Sequence, residues 1–204
     1  KHEYHLGPFS RAASNARSTG YLPGGTGWYR KDFTLSDNDK GKSVTLVIEG
    51  AYMESDVYVN GTHVKAHKHG YTPFGIDITG LLNAPGVENT LAIKVVNYGK
   101  NTRWYAGSGL YRDVKLVVTD PVHVDLWGTY ITASDITAAS AEVNVKTDVR
   151  NDLDEAAAVA VKVSIKDRKG NVVGTAESTA TIAANACSTL SSDITVKNPQ
   201  LWDI

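Results

Sequence analysis

The residues best suited to hold a ligand stand together at Asn101-Thr102-Arg103-Trp104-Tyr105. An amide and a guanidinium can hydrogen-bond vicinal hydroxyls, and the flat rings of Trp104 and Tyr105 can stack on the apolar face of a pyranose. The segment therefore has the chemistry of a sugar contact. A packed loop would use the same residues as scaffold, and residue types alone leave both readings open. The continuation, Ala106-Gly107-Ser108-Gly109-Leu110, lacks the Gly-x-Ser-x-Gly spacing of a nucleophile elbow. No helix pattern follows it, so it does not read as a phosphate cradle either. Its glycines read as turn formers between Trp104 and Tyr111.

Two other groups invite chemistry. His63, His67 and His69 include positions two apart, which project on one face of a strand as metal ligands must. No adjacent carboxylate or cysteine completes a ligand set, which favours a polar strand face or loop edge. Glu54 and Asp56 have the same spacing and could pass for the carboxylate pair of a glycosidase. They flank what reads as an exposed strand edge, and solvent-facing charge is the expectation there.

The elements that must position these groups are strands. Residues 43–49, 55–59, 90–96 and 113–118 are short, rich in β-branched side chains and largely alternating, and turn residues bound each of them. Asn60-Gly61 separates two such runs and predicts a hairpin, since both residues tolerate positive φ. The same Asn60-Gly61-Thr62 matches a glycosylation acceptor, a reading the hairpin outweighs. Further on, Val161, Val163 and Ile165 alternate with Lys162, Ser164 and Lys166 as a half-exposed strand. Asp154 to Ala158 favours helix by propensity but is too short to change the class. The expected fold is all-β: two β-sandwich domains, residues 1–120 and 121–204, joined near Asp120-Pro121.

Composition supports the division. Up to Asp120 there are 14 basic and 11 acidic residues, and from Pro121 there are 7 and 11. Of 17 aromatic residues, 14 precede Pro121, as do five of the six histidines, so a binding site is expected in the first part. A net charge of -1 over 204 residues offers no field for nucleic acid, and no membrane span is present. The one cysteine, Cys187, cannot form an intrachain disulfide. The start lacks the apolar stretch of a signal peptide, and a longer precursor leaves localisation open, with a secreted or periplasmic destination among the options.

Four motifs carry a family resemblance. Gly27-Trp28-Tyr29-Arg30-Lys31-Asp32-Phe33, Glu49 to Gly61, Gly70-Tyr71-Thr72-Pro73-Phe74 with Asp77-Ile78-Thr79, and Arg103 to Val114 occur in family order over about Tyr21 to Val118. This stretch resembles the N-terminal sugar-binding domain of family 2 glycoside hydrolases, with β-galactosidases the nearest members. The remainder resembles the immunoglobulin-like second domain, closed by Asn198-Pro199-Gln200-Leu201-Trp202. The resemblance implies a galactose-binding-like jelly roll, then an immunoglobulin-like sandwich, then a catalytic (β/α)₈ barrel further along a longer chain. The family's acid/base glutamate follows an asparagine in that barrel, and no Asn-Glu pair exists here.

By motif position, the loop that reaches the barrel's active-site mouth matches Asn101 to Gly107, making Asn101, Arg103, Trp104 and Tyr105 the expected substrate contacts. Where some β-galactosidases carry an acidic residue bound to galactose and sodium, this chain has Asn101 and Arg103, so the sodium site is not expected and galactose specificity stays open. No catalytic residue, metal or cofactor is expected in these 204 residues. The expected partners are a β-galactoside-like carbohydrate and the barrel, with a homo-oligomer open. A free-standing carbohydrate-binding module and a sandwich adhesion protein are the competing classes.

Overall fold

A computed structural model describes residues 9–13, 17, 20–98 and 108–202. The chain divides into two compact units, Lys1–Val118 and Thr119–Ile204. The described residues hold fourteen strands and no α-helix, so the all-β, two-sandwich reading holds. No helix among them is long and apolar enough to cross a membrane.

The first unit contains β1 (Gly25–Thr34), β2 (Ser43–Ile48), β3 (Ala51–Tyr52), β4 (Glu54–Val59), β5 (Thr62–His67), β6 (Phe74–Asp77), β7 (Glu88–Asn97), β8 (Gly109–Leu110) and β9 (Val114–Thr119). One sheet has the order β1-β7-β4-β5, a second the order β6-β2-β9, and β3 pairs with β8. Alternation builds the core, since successive side chains point to opposite faces. Leu46 and Ile48 of β2, Val57 and Val59 of β4, and Ile93 and Val95 of β7 are all buried in it.

Asn60 and Gly61 turn β4 into β5 with φ of 50° and 81°, the conformation of a two-residue hairpin loop. The Asn60 Nδ2 donates to the Leu81 carbonyl and to Asn89 Oδ1, both at 2.8 Å, and its Oδ1 accepts the Thr90 N–H at 2.9 Å. Both amide hydrogens are thus committed inside the fold, and the glycosylation reading fails on that ground.

Two expectations need correction. Glu54 and Asp56 are not on a sheet edge, because β4 lies between β7 and β5. Residues 154–158 form no helical turn. The chain bends there and enters a strand at Ala157, a case of pairing overriding propensity.

The second unit contains β10 (Val122–Ser134), β11 (Ser140–Asn151), β12 (Ala157–Lys166), β13 (Val172–Ile182) and β14 (Ala186–Lys197). Its sheets have the orders β10-β11-β14 and β12-β13. The core cluster is small: Val149, Ile182 and Leu190, flanked by half-buried residues including Val159 and Val161. Asn151 is fully buried beside it, its Nδ2 2.8 Å from the Glu155 carbonyl and its Oδ1 accepting the Leu153 N–H at 3.0 Å.

Candidate functional site

Asn101, Arg103, Trp104 and Tyr105 lie outside the described residues, within 99–107. What the structure describes is the frame on either side of that segment. Tyr98, at the end of β7, is 63% exposed, and its hydroxyl accepts a hydrogen bond from Thr26 Oγ1 at 3.1 Å. Asn97 is buried, and its Nδ2 donates to Ser108 Oγ at 2.7 Å, joining the residues that enter and leave 99–107. The Leu110 N–H donates to Tyr29 Oη at 3.3 Å. Gly109, at φ +96°, accommodates that hydroxyl, since a Cβ there would lie 2.0 Å from it.

An aromatic layer borders this frame. β8 pairs with β3, setting Tyr52 opposite Gly109. The Tyr52 ring lies 5.1 Å from that of Tyr71, and Tyr71 lies 6.4 Å from Tyr111 and 6.2 Å from His69, the last two edge-on. Tyr111 Oη donates to the Gly70 carbonyl at 2.8 Å. Two rings lie directly on glycine backbone: a Cβ on Gly50 would come within 2.6 Å of Tyr111, and one on Gly70 within 2.2 Å of Tyr52. Tyr52 is buried, whereas Tyr71 and Tyr111 present exposed faces. Burial, then the neighbouring Tyr71, pushes the Tyr52 hydroxyl above its ordinary range, so it stays protonated.

Charge at the frame is paired. Lys115 Nζ lies 2.5 Å from Glu49 Oε1 and 3.4 Å from Asp113 Oδ2, and hydrogen bonds to these two carboxylates hold its ammonium protonated above the usual lysine range. The Arg112 guanidinium sits 5.4 Å over the Tyr111 ring. The exposed faces of Tyr71, Tyr98 and Tyr111 are of the kind that stack on the apolar face of a sugar ring. A cleft of about 490 Å³ in the same unit has mainly apolar walls, including Phe33, Leu91 and Leu116, with Arg30, Lys31 and Lys115 also lining it.

The other candidates have separate environments. His63 Nε2 is 3.1 Å from Asp56 Oδ1. His67 hydrogen-bonds Thr72 Oγ1 at 3.0 Å and stacks on Phe74, while His69, beyond the end of β5, accepts the Tyr71 N–H at 3.4 Å. Among the described residues no three His, Cys, Asp or Glu side chains are grouped to hold a metal. Asp56 also faces Lys94 at 3.7 Å, so this carboxylate is engaged within its sheet. The tyrosine layer was not singled out in the sequence. Its signal was there, in Gly50-Ala51-Tyr52, Gly70-Tyr71 and Gly109-Leu110-Tyr111, a glycine one or two residues before each ring.

Residues 13–121 match the model of the glycosyl hydrolases family 2 sugar binding domain, and residues 122–204 match a second model of glycosyl hydrolases family 2. The chain belongs to glycosyl hydrolase family 2. Within this family it is 39% identical over 199 residues to a β-galactosidase of Bacteroides ovatus, covering 97% of this chain and 23% of that protein. A β-glucuronidase of Formosa agariphila is 33% identical over 199 residues, covering 87% of this chain and 20% of the enzyme. Among solved structures, a family 2 member from Bacteroides cellulosilyticus superposes with a TM-score of 0.89 at 37% identity, over 98% of this chain and 26% of the other. The chain thus spans about a quarter of the length of these family 2 relatives.

Proposed function

We propose that this chain is the non-catalytic N-terminal part of a β-galactosidase-like family 2 glycoside hydrolase. In this reading residues 1–120 form a galactose-binding-like jelly roll and 121–204 an immunoglobulin-like sandwich. Together they support a catalytic barrel, and residues 99–107 complete its sugar subsite. The observation that carries the reading is the frame around 99–107. Asn97 to Ser108 and Leu110 to Tyr29 link the residues that flank it, and Tyr98, Tyr71 and Tyr111 present exposed rings in the same unit. Asn101, Arg103, Trp104 and Tyr105 supply the amide, guanidinium and flat rings that such a subsite needs.

The test is Arg103→Ala in the longer enzyme. Losing one charge-assisted hydrogen bond, roughly 1.5–3 kcal/mol, lowers kcat/KM by about 10- to 150-fold with the melting temperature nearly unchanged. A large stability loss with normal activity per folded molecule would make the segment scaffold. A second reading, a uronic acid in the same subsite, is favoured by Arg103 itself, because a guanidinium pairs a carboxylate in bidentate fashion, and by the β-glucuronidases among the relatives. Under it Arg103→Ala would depress turnover of β-glucuronides far more than of β-galactosides.

A further inference from the structure

The outward face of the β1-β7-β4-β5 sheet carries a row of aromatic side chains that lies outside the core. Leu91, Ile93 and Val95 of β7 and Val57 and Val59 of β4 point into the core, so the residues between them point out. Pairing sets Trp28 opposite Lys94 and Arg30 opposite Ala92 on one side of β7, and Asp56 and Tyr58 opposite the same two residues on the other. Trp28 is 60% exposed, yet neighbouring side chains prop its ring. That ring lies 5.7 Å from the ring of Tyr58, which meets His63 edge-on at 5.0 Å, and His63 is anchored in turn on Asp56 at 3.1 Å. Two residues before Trp28 on the same face, Thr26 donates to the hydroxyl of Tyr98, whose ring extends the row. A tryptophan propped in this way offers a flat apolar face with little freedom left to lose on binding a ligand.

The charges around the row are paired. Asp56 faces Lys94 at 3.7 Å as well as His63, and Arg30 lies 3.5 Å from Asp32, which also accepts the Thr90 hydroxyl at 2.7 Å. Paired charges of both signs collect neither a polyanion nor a polycation. They also speak against a protein partner, because the centre of such an interface is depleted in charged residues. On β7 only Ala92 and Val96, both half-buried, add aliphatic surface between the rings. Guanidinium, ammonium, carboxylate and hydroxyl groups set around stacking faces are instead what the vicinal hydroxyls and the apolar face of a sugar require.

We propose that this sheet face is a surface site for a neutral oligosaccharide, apart from residues 99–107, in which one sugar ring stacks on Trp28 and its neighbours lie over Tyr58 and beside Tyr98. Arg30 and Lys94 donate to its hydroxyls, and Asp32 and Asp56 accept from them. The planes of Trp28 and Tyr58 are 38° apart. Such a tilt fits a single soluble chain, which turns from one sugar to the next, and not the flat face of a crystalline polysaccharide. For a hydrolase, a site of this kind retains a long substrate by a part away from the bond being cut and so raises its effective concentration. The assignment takes from the proposed function only that the ligand is a glycan, and it does not require 99–107 to be a subsite.

Titration of the isotopically labelled 204-residue chain with galactotetraose, mannotetraose, xylotetraose and cellotetraose, read by nuclear magnetic resonance, tests the site. At least one of these sugars should saturably shift the Trp28 indole N–H together with the amides of 56–58 and 92–94. Trp28→Ala should weaken that binding roughly tenfold or more, and Trp28→Phe, which keeps a flat ring, should weaken it less. Both variants should melt within about two degrees of the wild type, because the side chain is exposed. Arg103→Ala should leave this response in place, and the loss on Trp28→Ala should recur in the longer enzyme. Saturable shifts confined to Tyr98 and 99–107, and abolished by Arg103→Ala, would keep the subsite and overturn the sheet site. An unchanged kcat/KM in Arg103→Ala with the Trp28 response intact would do the reverse. No saturable response at Trp28 to any of these sugars overturns the inference. So does a response that disappears in the longer enzyme, which would give this face to another part of the polypeptide.

Discussion

Gly109 and Gly86 both adopt positive φ, at 96° and 79°, but only Gly109 has a neighbour in the way of a side chain. Alanine at Gly86 therefore meets strain alone, about 1–2 kcal/mol. Alanine at Gly109 adds a Cβ 2.0 Å from Tyr29 Oη, so the hydroxyl that receives the Leu110 N–H must move as well. Urea denaturation should find Gly109→Ala the more destabilised of the two by at least about 1 kcal/mol, and Tyr29→Phe should recover part of the difference. Equal losses would mean that Tyr29 does not hold this end of the 99–107 segment. Asp39 offers a second test at this scale. Its carboxylate accepts the Ser36 hydroxyl at 2.6 Å and the Ser36 N–H at 3.0 Å, and these bonds, in that order, hold it below the usual carboxylate range. A depressed folded pKa stabilises the protein above the unfolded value, and the contribution disappears as pH falls through the folded value. The stability difference between the wild type and Asp39→Asn should accordingly be largest near neutral pH and shrink below about pH 4. A difference independent of pH would remove the charge from the explanation.

The strands were legible because their information is local: a period of two, β-branched side chains and turn residues at the ends. The β4–β5 hairpin was legible for the same reason, since Asn60-Gly61 determines it within two residues. What Asn60 does beyond the turn was not, because Leu81, Asn89 and Thr90 lie 21 to 30 residues away. Asn60→Asp keeps the turn conformation but replaces the two donated hydrogens with an oxygen facing two acceptors. It should lower stability by about 1–3 kcal/mol for each group left unpaired. Thr62→Ala, which removes the glycosylation match but none of these bonds, should have a much smaller effect, and the converse ranking would return weight to the glycosylation reading. The position of β4 inside its sheet depends on β7, more than thirty residues later, so the misplacement of Glu54 and Asp56 at an edge was an error of topology rather than of pattern. The tyrosine layer escaped for a similar reason. It is assembled by the β3–β8 pairing, two residues on each side, with too little sequence to carry a period.

At the scale of the whole chain, an aromatic-rich unit bears a framed segment and a sheet face that exposes Trp28, and a second unit has a small core. None of these features supplies chemistry for bond cleavage. Hydrolysis of a glycoside normally needs two carboxyl groups about 5 to 10 Å apart across the scissile bond, one of them protonated in the ground state. The carboxylates nearest to such a pair in sequence, Glu54 and Asp56, are alternate residues of one strand, and Asp56 is bound to His63 and Lys94 in its own sheet. The 204-residue chain is therefore expected to release no nitrophenol from nitrophenyl β-galactoside or β-glucuronide above the protein-free rate, at any concentration. Binding of the free sugars is a separate matter, because the tyrosine faces and residues 99–107 belong to this chain. Weak saturable binding without turnover, followed by tyrosine and tryptophan fluorescence, is the pattern of a subsite separated from its catalyst. Turnover that disappears with Glu54→Gln or Asp56→Asn would instead make these strand residues catalytic and refute the non-catalytic role proposed for this chain.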